Sequence, residues 1–408
     1  MEDIFTLIFK TLSEWISIKS VKADSLVGAP FGAGINLMLQ KALSDASSMG
    51  FKVKNYDNYI GEVIFGDGDD KDGVAVLCHL DVVPEGDLSL WKFNPYTLTE
   101  ESGYLYGRGV LDDKAPAVLC LYALKSLKDE GFLPSKKIKL IFGLDEESGW
   151  GCIDYYNKVA TMPNLGFSPD GEFPVIYAEK GILHVKYEFD LNAEILDLKG
   201  GDRANVVADF ATVKVKGKNR RNFKGVCAHG STPELGDNAI KKALLYLVKQ
   251  NLFSEELYEK LFSGRLFKNV KDESGNLTFS PNVIELNKSK INLIVDVRYP
   301  VHYTYQEIEK LLRKVGNFIV VSHHYPLYQD KDSKLVKTLL NVYNNQLKVK
   351  GCPTVTGGGT YARALKNGVA FGPSFSDGCC HMPNERIKIE DLKLCFSIYK
   401  EAIKELSK

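Results

Sequence analysis

Residues Val74–Glu85, VAVLCHLDVVPE, decide the fold. Val74–Cys78 is a run of small and β-branched apolar residues behind Gly73, the pattern of an interior strand in an α/β sheet. The run ends in His79-Leu80-Asp81. Open α/β sheets place their ligand sites beyond the carboxyl ends of the strands. On an extended backbone His79 and Asp81 point to the same side. That suits a metal-ligating imidazole whose second ring nitrogen is held by a carboxylate. Taken alone, a strand-end turn with two solvated polar groups is the simpler reading, so the test is whether other ligands converge.

They do, at matching places. Lys136–Gly143 (KKIKLIFG) reads as a second interior strand and ends in Asp145-Glu146-Glu147. Three consecutive carboxylates repel one another unless cations, metals or solvent neutralise them. The following Ser148-Gly149-Trp150-Gly151 favours a tight turn into a helix over an open solvated loop. Leu165–Ser168 is a third strand and ends at Pro169-Asp170. Between them, GYLYGRGVLDDK at 103–114 opens a helix that runs to about Glu130. Its Asp112 and Asp113 fall near the helix N-terminus, where capping and the dipole favour a carboxylate. That accounts for one aspartate, not for two. His381 lies in the loop SDGCCHMPNE at 376–385, which has no apolar periodicity to make it a core histidine. Ligands recurring at one edge of a sheet mark a site.

The bulk numbers narrow the partners. A chain of 408 residues is long for one core, so two domains are expected. Lysine plus arginine and aspartate plus glutamate balance at 52 each, which argues against nucleic acid or an anionic membrane as the main partner. No stretch approaches the roughly 18 apolar residues of a membrane span, and the acidic, amphipathic start is unlike a signal peptide. The eight cysteines contain no C-x-x-C pair and read as free thiols of a reducing compartment, so a cytoplasmic protein is expected. From Ala178 the texture shifts to alternating strands (181–189, 210–215, 277–286, 290–297) with helices at 238–249, 251–263 and 305–314. This predicts an α+β domain inserted at 178–325 into an α/β domain formed by 1–177 and 326–408.

The oxygen and nitrogen donors His79, Asp112, Glu147, Asp170 and His381, without thiolate motifs, suit zinc first, with cobalt or manganese as alternatives. One shared carboxylate with one histidine per ion gives a two-metal site with ions roughly 3.5–4 Å apart. Such a site still needs a general base that is not a ligand. Of the pair Glu146-Glu147, one can ligate while the other takes the proton from water.

In order along the chain, HLDVVP, GRGVLDDK, LDEESG, SPD, AHGSTPELG, VDVRYP, GGGTYAR and HMPNE resemble the landmarks of the co-catalytic zinc metallopeptidases. That family includes aminoacylase, carboxypeptidase G, succinyl-diaminopimelate desuccinylase and the carnosinase-type Xaa-His dipeptidases. SPDGEFP together with GGGTYAR looks most like its bacterial dipeptidase V branch. The resemblance implies a mixed-sheet zinc-peptidase domain carrying a smaller α+β lid. It places His79 and Asp170 on one metal, Glu147 and His381 on the other, and Asp112 as the bridge. It makes Glu146 the general base and Asp81 the group that orients His79. His229 would stabilise the oxyanion, while Asn205, Arg298 and Gly358 would hold substrate. An arginine suits that task because its planar fork can engage both carboxylate oxygens. The insert is short for a dipeptidase V, so both monomer and homodimer are expected forms.

The expected activity is metal-dependent hydrolysis of dipeptides or short peptides bearing a free carboxyl end. An N-acyl-amino-acid amidohydrolase and a carboxypeptidase are the enzymatic alternatives, and a silent peptide- or metal-binding protein is the alternative from another class. A mere binder has no use for the non-ligating Glu146.

Overall fold

The Val74–His79 strand is buried along its whole length. It lies inside a mixed sheet between two parallel neighbours, Ile138–Gly143 and Leu165–Ser168. Asn367–Ala370 extends the parallel set. His79 is opposite Gly143 and Val76 opposite Phe167, so the chain leaves these strands at one common edge. Ile60–Phe65 and Lys52–Tyr56 complete the other side in antiparallel pairing. Their turn, Asp57-Asn58, has φ of 50° and 62°, the left-handed backbone that a two-residue hairpin loop needs. The helix Lys114–Asp129 is buried continuously from Lys114 to Leu124 and packs on the Val74–His79 strand, with Ile4–Ile16 and Ile389–Leu406 beside it.

This computed structural model describes residues 3–287, 290–375 and 379–408. Ser376, Asp377 and Gly378 of the loop that leads to His381 lie outside the described residues. Two compact units emerge. The first comprises Met1–Tyr177, Gln329–Thr354 and Thr360–Lys408; the second comprises Ala178–Tyr328 and Val355–Gly359. The first unit's chain leaves at Tyr177 and returns at Gln329, whose N–H donates to the Tyr177 carbonyl at 2.8 Å. One expected loop holds more structure than its residues suggested. Within 91–101, Thr99–Glu101 pairs with Tyr104–Tyr106, which in turn pairs with Arg386–Lys388. Strands of three residues are too short to show a period.

The second unit is built on a seven-stranded antiparallel sheet. Its order is Arg221–Lys224, Phe210–Val215, Ile195–Gly200, Thr278–Asn287, Lys290–Tyr299, Gly181–Asp190 and Phe318–His324. Leu183, Val185 and Tyr187 alternate inward and share a core with Ile240, Leu244 and Leu247 of the Ala239–Lys249 helix and Ile308 and Leu312 of Tyr305–Leu312. Three of these strands were not legible beforehand. Ile195–Gly200 carries a register shift between Ile195 and Asp197 that breaks its alternation, and Phe318–His324 is an edge strand with Ile319, Val320 and Val321 exposed. The expected mixed α/β class with a smaller α+β unit describes the chain.

Candidate metal centre and substrate-binding residues

All of the expected metal ligands lie in the first unit, and the structure gathers them into two overlapping groups. His79, Asp112 and Asp170 form one; Asp112, Glu147 and His381 form the other. Within each group the donor atoms lie within 4.8 Å of one another. Asp112 is common to both through different oxygens. Its Oδ1 is 2.8 Å from His79 Nε2, and its Oδ2 is 2.8 Å from His381 Nε2. Glu147 Oε1 is 3.0 Å from His381 Nε2, and Asp170 Oδ2 is 3.7 Å from His79 Nε2.

The sequence delivers these groups from strand ends. His79 closes its strand, and its Nδ1 donates to the backbone carbonyl of Asp81 at 2.9 Å. A carbonyl oxygen can only accept, so Nδ1 carries the proton, and in the neutral ring Nε2 is left with its lone pair. That Nε2 is buried and makes no hydrogen bond, although Asp112 Oδ1 lies 2.8 Å away. A buried ring nitrogen that faces carboxylate oxygens without a hydrogen bond to any of them fits a shared cation.

The electrostatics agree with the geometry. Burial, together with the neighbouring carboxylates, pushes Glu146, Glu147 and Asp170 above the usual carboxylate range. Burial works against a charged His381, yet Glu147 and Asp112 push its imidazole up to about 12. Crowded acids that hold protons, beside a His381 that does not readily lose one, are the mark of negative charge in excess of its partners. Divalent ions would supply the missing positive charge. The donor set, the shared carboxylate and the orphaned Nε2 therefore fit a pair of divalent metals.

The run Asp145-Glu146-Glu147 divides its labour. Asp145 Oδ1 pairs with Lys22 Nζ at 2.6 Å, and its Oδ2 accepts the Gly151 N–H at 2.9 Å, at the start of the Gly151–Val159 helix. Glu147 faces His381. Glu146 belongs to neither ligand group. The turn is held by Asp81, whose carboxylate accepts the N–H groups of Glu146 and Glu147 at 3.2 and 3.0 Å. The expected hold of Asp81 on the His79 ring comes from its backbone and not from its carboxylate. Its backbone carbonyl fixes the His79 ring, while the nearer oxygen of its carboxylate is 3.5 Å from Nδ1.

Asp113 also departs from expectation. It stands at the helix N-cap but makes no capping bond, and its Oδ2 accepts the His79 N–H at 3.0 Å instead. Tyr361, fully buried, accepts the Asp145 N–H at 3.2 Å and stands edge-on to His79 with ring centroids 6.2 Å apart. Gly143 leaves room for it, since a Cβ there would lie 2.3 Å from the Tyr361 ring. Sequence reasoning singled out neither Tyr361 nor Glu385; the only signal was their place in GGGTYAR and HMPNE.

The expected substrate-binding residues Asn205, His229, Arg298 and Gly358 all lie in the second unit, and they cluster there. The Gly230 N–H donates to the Asn205 carbonyl at 2.7 Å, and Val206 bridges to His229. His229 is exposed, and its Nδ1 accepts the Ser231 N–H at 3.3 Å. In the neutral ring the proton then sits on Nε2, the donor an oxyanion needs. Arg298 is nearly buried and already engaged. Its Nε and Nη2 grip both oxygens of Asp296 at 2.6 and 2.8 Å, and Nη1 donates to Gly357 O at 3.1 Å. The side fork is therefore spent inside the protein. A cavity of about 1100 Å³ in the same unit is lined by residues that include Lys180, Ser231, Glu234, Arg265 and Phe279. A further acidic group, Asp272, Glu273 and His302, is mostly exposed, and Asp272 is satisfied by the N–H groups of Ser274 and His302.

The model of peptidase family M20/M25/M40 matches residues 75–405. The chain belongs to that family. Among curated M20 relatives, the putative dipeptidase YtjP of Bacillus subtilis is 34% identical, over 98% of this chain and 97% of its own. The Beta-Ala-Xaa dipeptidase of Lactobacillus delbrueckii subsp. lactis is 33% identical, over 98% and 96%. Among solved structures, the M20 metallo-carboxypeptidase Sso-CP2 of Sulfolobus solfataricus superposes with a TM-score of 0.66 at 18% identity, covering 98% of this chain and 99% of that one. Aminoacylhistidine dipeptidase of Vibrio alginolyticus gives 0.64 at 13%, covering 98% of each. At those identities the structures speak for the M20 fold alone. The protein is thus a peptidase of the M20 family. Among the described residues no helix is long and apolar enough to cross a membrane.

Proposed function

We propose that this M20 peptidase is a two-metal dipeptidase that hydrolyses dipeptides or short peptides with a free carboxyl end. The observation that carries the reading is Asp112, whose two oxygens reach two separate histidine-containing groups. His79 and Asp170 would hold one ion, Glu147 and His381 the other, with Asp112 between them. Two divalent cations, zinc before cobalt or manganese, would supply an acidified water and a polarised carbonyl when bound.

The chain's own residues do the rest. Glu146 sits beside the ligands without joining them, and its raised pKa suits a group that must both take and return a proton. It removes a proton from the attacking water as the C–O bond forms, then passes it to the amine nitrogen as the C–N bond breaks. His229, with its proton on Nε2, is the donor for the oxyanion. Asn205, Gly358 and Arg298 hold the substrate backbone and carboxylate, with the second unit acting as the lid. The dipeptidase names of the two curated relatives support the substrate class. The free cysteines, of which Cys78, Cys120, Cys152 and Cys395 are buried, suit a cytoplasmic setting.

The test is a panel of dipeptides, tripeptides and N-acyl amino acids, assayed with metal content measured on the same sample. Hydrolysis of dipeptides, abolished by a chelator and restored by zinc, cobalt or manganese, is the expected result. Turnover confined to acyl-amino acids or to longer peptides would move the assignment to an amidohydrolase or a carboxypeptidase. No turnover with full metal content would make the protein a binder.

A further inference from the structure

The segment after His381 contains a carboxylate for which the proposed chemistry has no use. Glu385 is fully buried, yet it is not among the metal-binding groups. Its Oε1 accepts three backbone N–H groups, from Gly109 at 3.1 Å, Leu111 at 2.8 Å and Asp112 at 3.2 Å. Its Oε2 accepts Arg108 Nη1 at 2.7 Å, and its own backbone carbonyl accepts the Gly107 N–H at 3.1 Å. One residue thus takes up four of the six N–H groups of the 107–112 turn, those of Gly107, Gly109, Leu111 and Asp112, while Arg108 and Val110 donate to the carbonyls of Pro95 and Gly107.

Burying a carboxylate is costly unless it is paired and hydrogen-bonded, so such a residue is stable only with all of these partners in place. Arg108 is equally buried and lies over the Trp91 ring, 5.2 Å from its centroid. The pair is rigidly seated. The turn it gathers ends in Asp112, and the loop that bears it carries His381 four residues earlier. The two segments that this contact joins place Asp112 Oδ2 2.8 Å from His381 Nε2.

We propose that Glu385 is a positioning residue that locks the Asp112 turn to the His381 loop and so fixes the spacing of the second metal group. The proposal rests on the reading of Asp112 and His381 as ligands. Glu385→Gln keeps the size but puts an amide where Oε2 faced Arg108, setting donor against donor. The turn then loosens while the ligands themselves are untouched. Groups that orient ligands in this way are worth about 10–100-fold in metal affinity.

The experiment titrates cobalt(II) into the stripped full-length wild type and Glu385→Gln, read by visible absorption and by competition with a coloured chelator. One of two ions should bind about 10–100-fold more weakly in the variant, with an altered absorption band. On a dipeptide that the wild type hydrolyses, kcat should climb back as metal is added in excess, while KM stays near wild type. Wild-type affinities and spectrum in Glu385→Gln would overturn the proposal, as would a loss of kcat that excess metal fails to restore. If Glu385→Gln does not fold, Glu385→Asp gives the answer: its shorter arm should weaken the same ion, and unchanged binding overturns the idea. A wild type that binds no cobalt would instead sink the two-metal reading, and this proposal with it.

Discussion

The carboxylate of Asp81 accepts the backbone N–H of Glu147 at 3.0 Å, and of Glu146 at 3.2 Å, across the ends of two parallel strands. One residue thus ties the imidazole of His79, through its own carbonyl, to the turn that presents the proposed base and a proposed ligand. Asp81→Asn would replace one acceptor with an N–H₂ group that opposes a backbone donor. We expect kcat to fall by about 10–100-fold with KM little changed, as for other groups that orient metal ligands. Steady-state kinetics on a dipeptide substrate check this, and an unchanged kcat would dismiss the tie.

Glu146 should separate binding from turnover. Glu146→Gln keeps the shape and removes the proton acceptor. Metal content should match wild type while kcat drops by about 10²–10⁴, the usual worth of a general base. Elemental analysis beside kinetics reads both quantities, and near-normal turnover in a loaded variant would remove Glu146 from that role.

The Asp296–Arg298 pair in the second unit makes a prediction about acid. Burial raises the Asp296 carboxyl, but Arg298 and His184 outweigh it and hold the carboxyl near 2, against 3.8 unperturbed. A depressed carboxylate stabilises the fold above pH ~3.8, and that stability is lost as pH falls toward about 2; its worth is about 2 kcal/mol. Asp296→Asn leaves Arg298 buried without its counter-ion, which costs about 3–5 kcal/mol near neutrality. Urea unfolding from pH 7 down to pH 2 should show the gap between variant and wild type narrowing by about 2 kcal/mol below pH 4. A gap independent of pH would contradict the pairing.

Gly166 is a packing constraint between two of the strands that carry the site. A Cβ there would lie 2.0 Å from the Ala75 carbonyl, a backbone atom of the neighbouring strand that cannot swing aside. Gly166→Ala should cost about 3 kcal/mol. Gly86→Ala meets nothing within 4 Å and bears only the strain of its φ of 69°, about 1 kcal/mol. Thermal unfolding of the two variants side by side should rank them in that order.

Much of the first unit was legible because its signals are local. Val74–His79 and Ile138–Gly143 are unbroken apolar runs, and the residues just beyond them must sit at the edge of the sheet. The spacing of His79 and Asp81 could not reveal which atom of Asp81 would hold the ring. Carbonyl and carboxylate are offered by the same residue, and only the turn at 80–82 decides between them. Capping was open to either Asp112 or Asp113, because nothing in the sequence announces that the His79 amide needs an acceptor. Arg298 was read as an open fork, since its partner Asp296 is two residues away on the same face of one strand and could equally have been solvated. Tyr361 and Glu385 act across more than two hundred residues of chain, on Asp145 and Asp112 respectively, and such distances leave no periodic trace.

The hydrogen bond from Gln329 to Tyr177 has a consequence for how such a chain can change its length. It staples together the two points where the first unit's chain departs and resumes, so everything from 178 to 328 is a closed excursion with its mouth already shut. Lengthening or trimming a loop whose ends are held costs only about 0.6 kcal/mol per doubling. The alignment with the Bacillus subtilis relative needs 455 positions to place 98% of these 408 residues, so gaps do separate the two chains. The excursion is where additions or deletions would disturb the strand ends least. With Leu327 and Tyr328 also paired to Glu179 and Ala178, the base of the excursion is closed by a short stretch of strand, and a change of length beyond it leaves that closure in place.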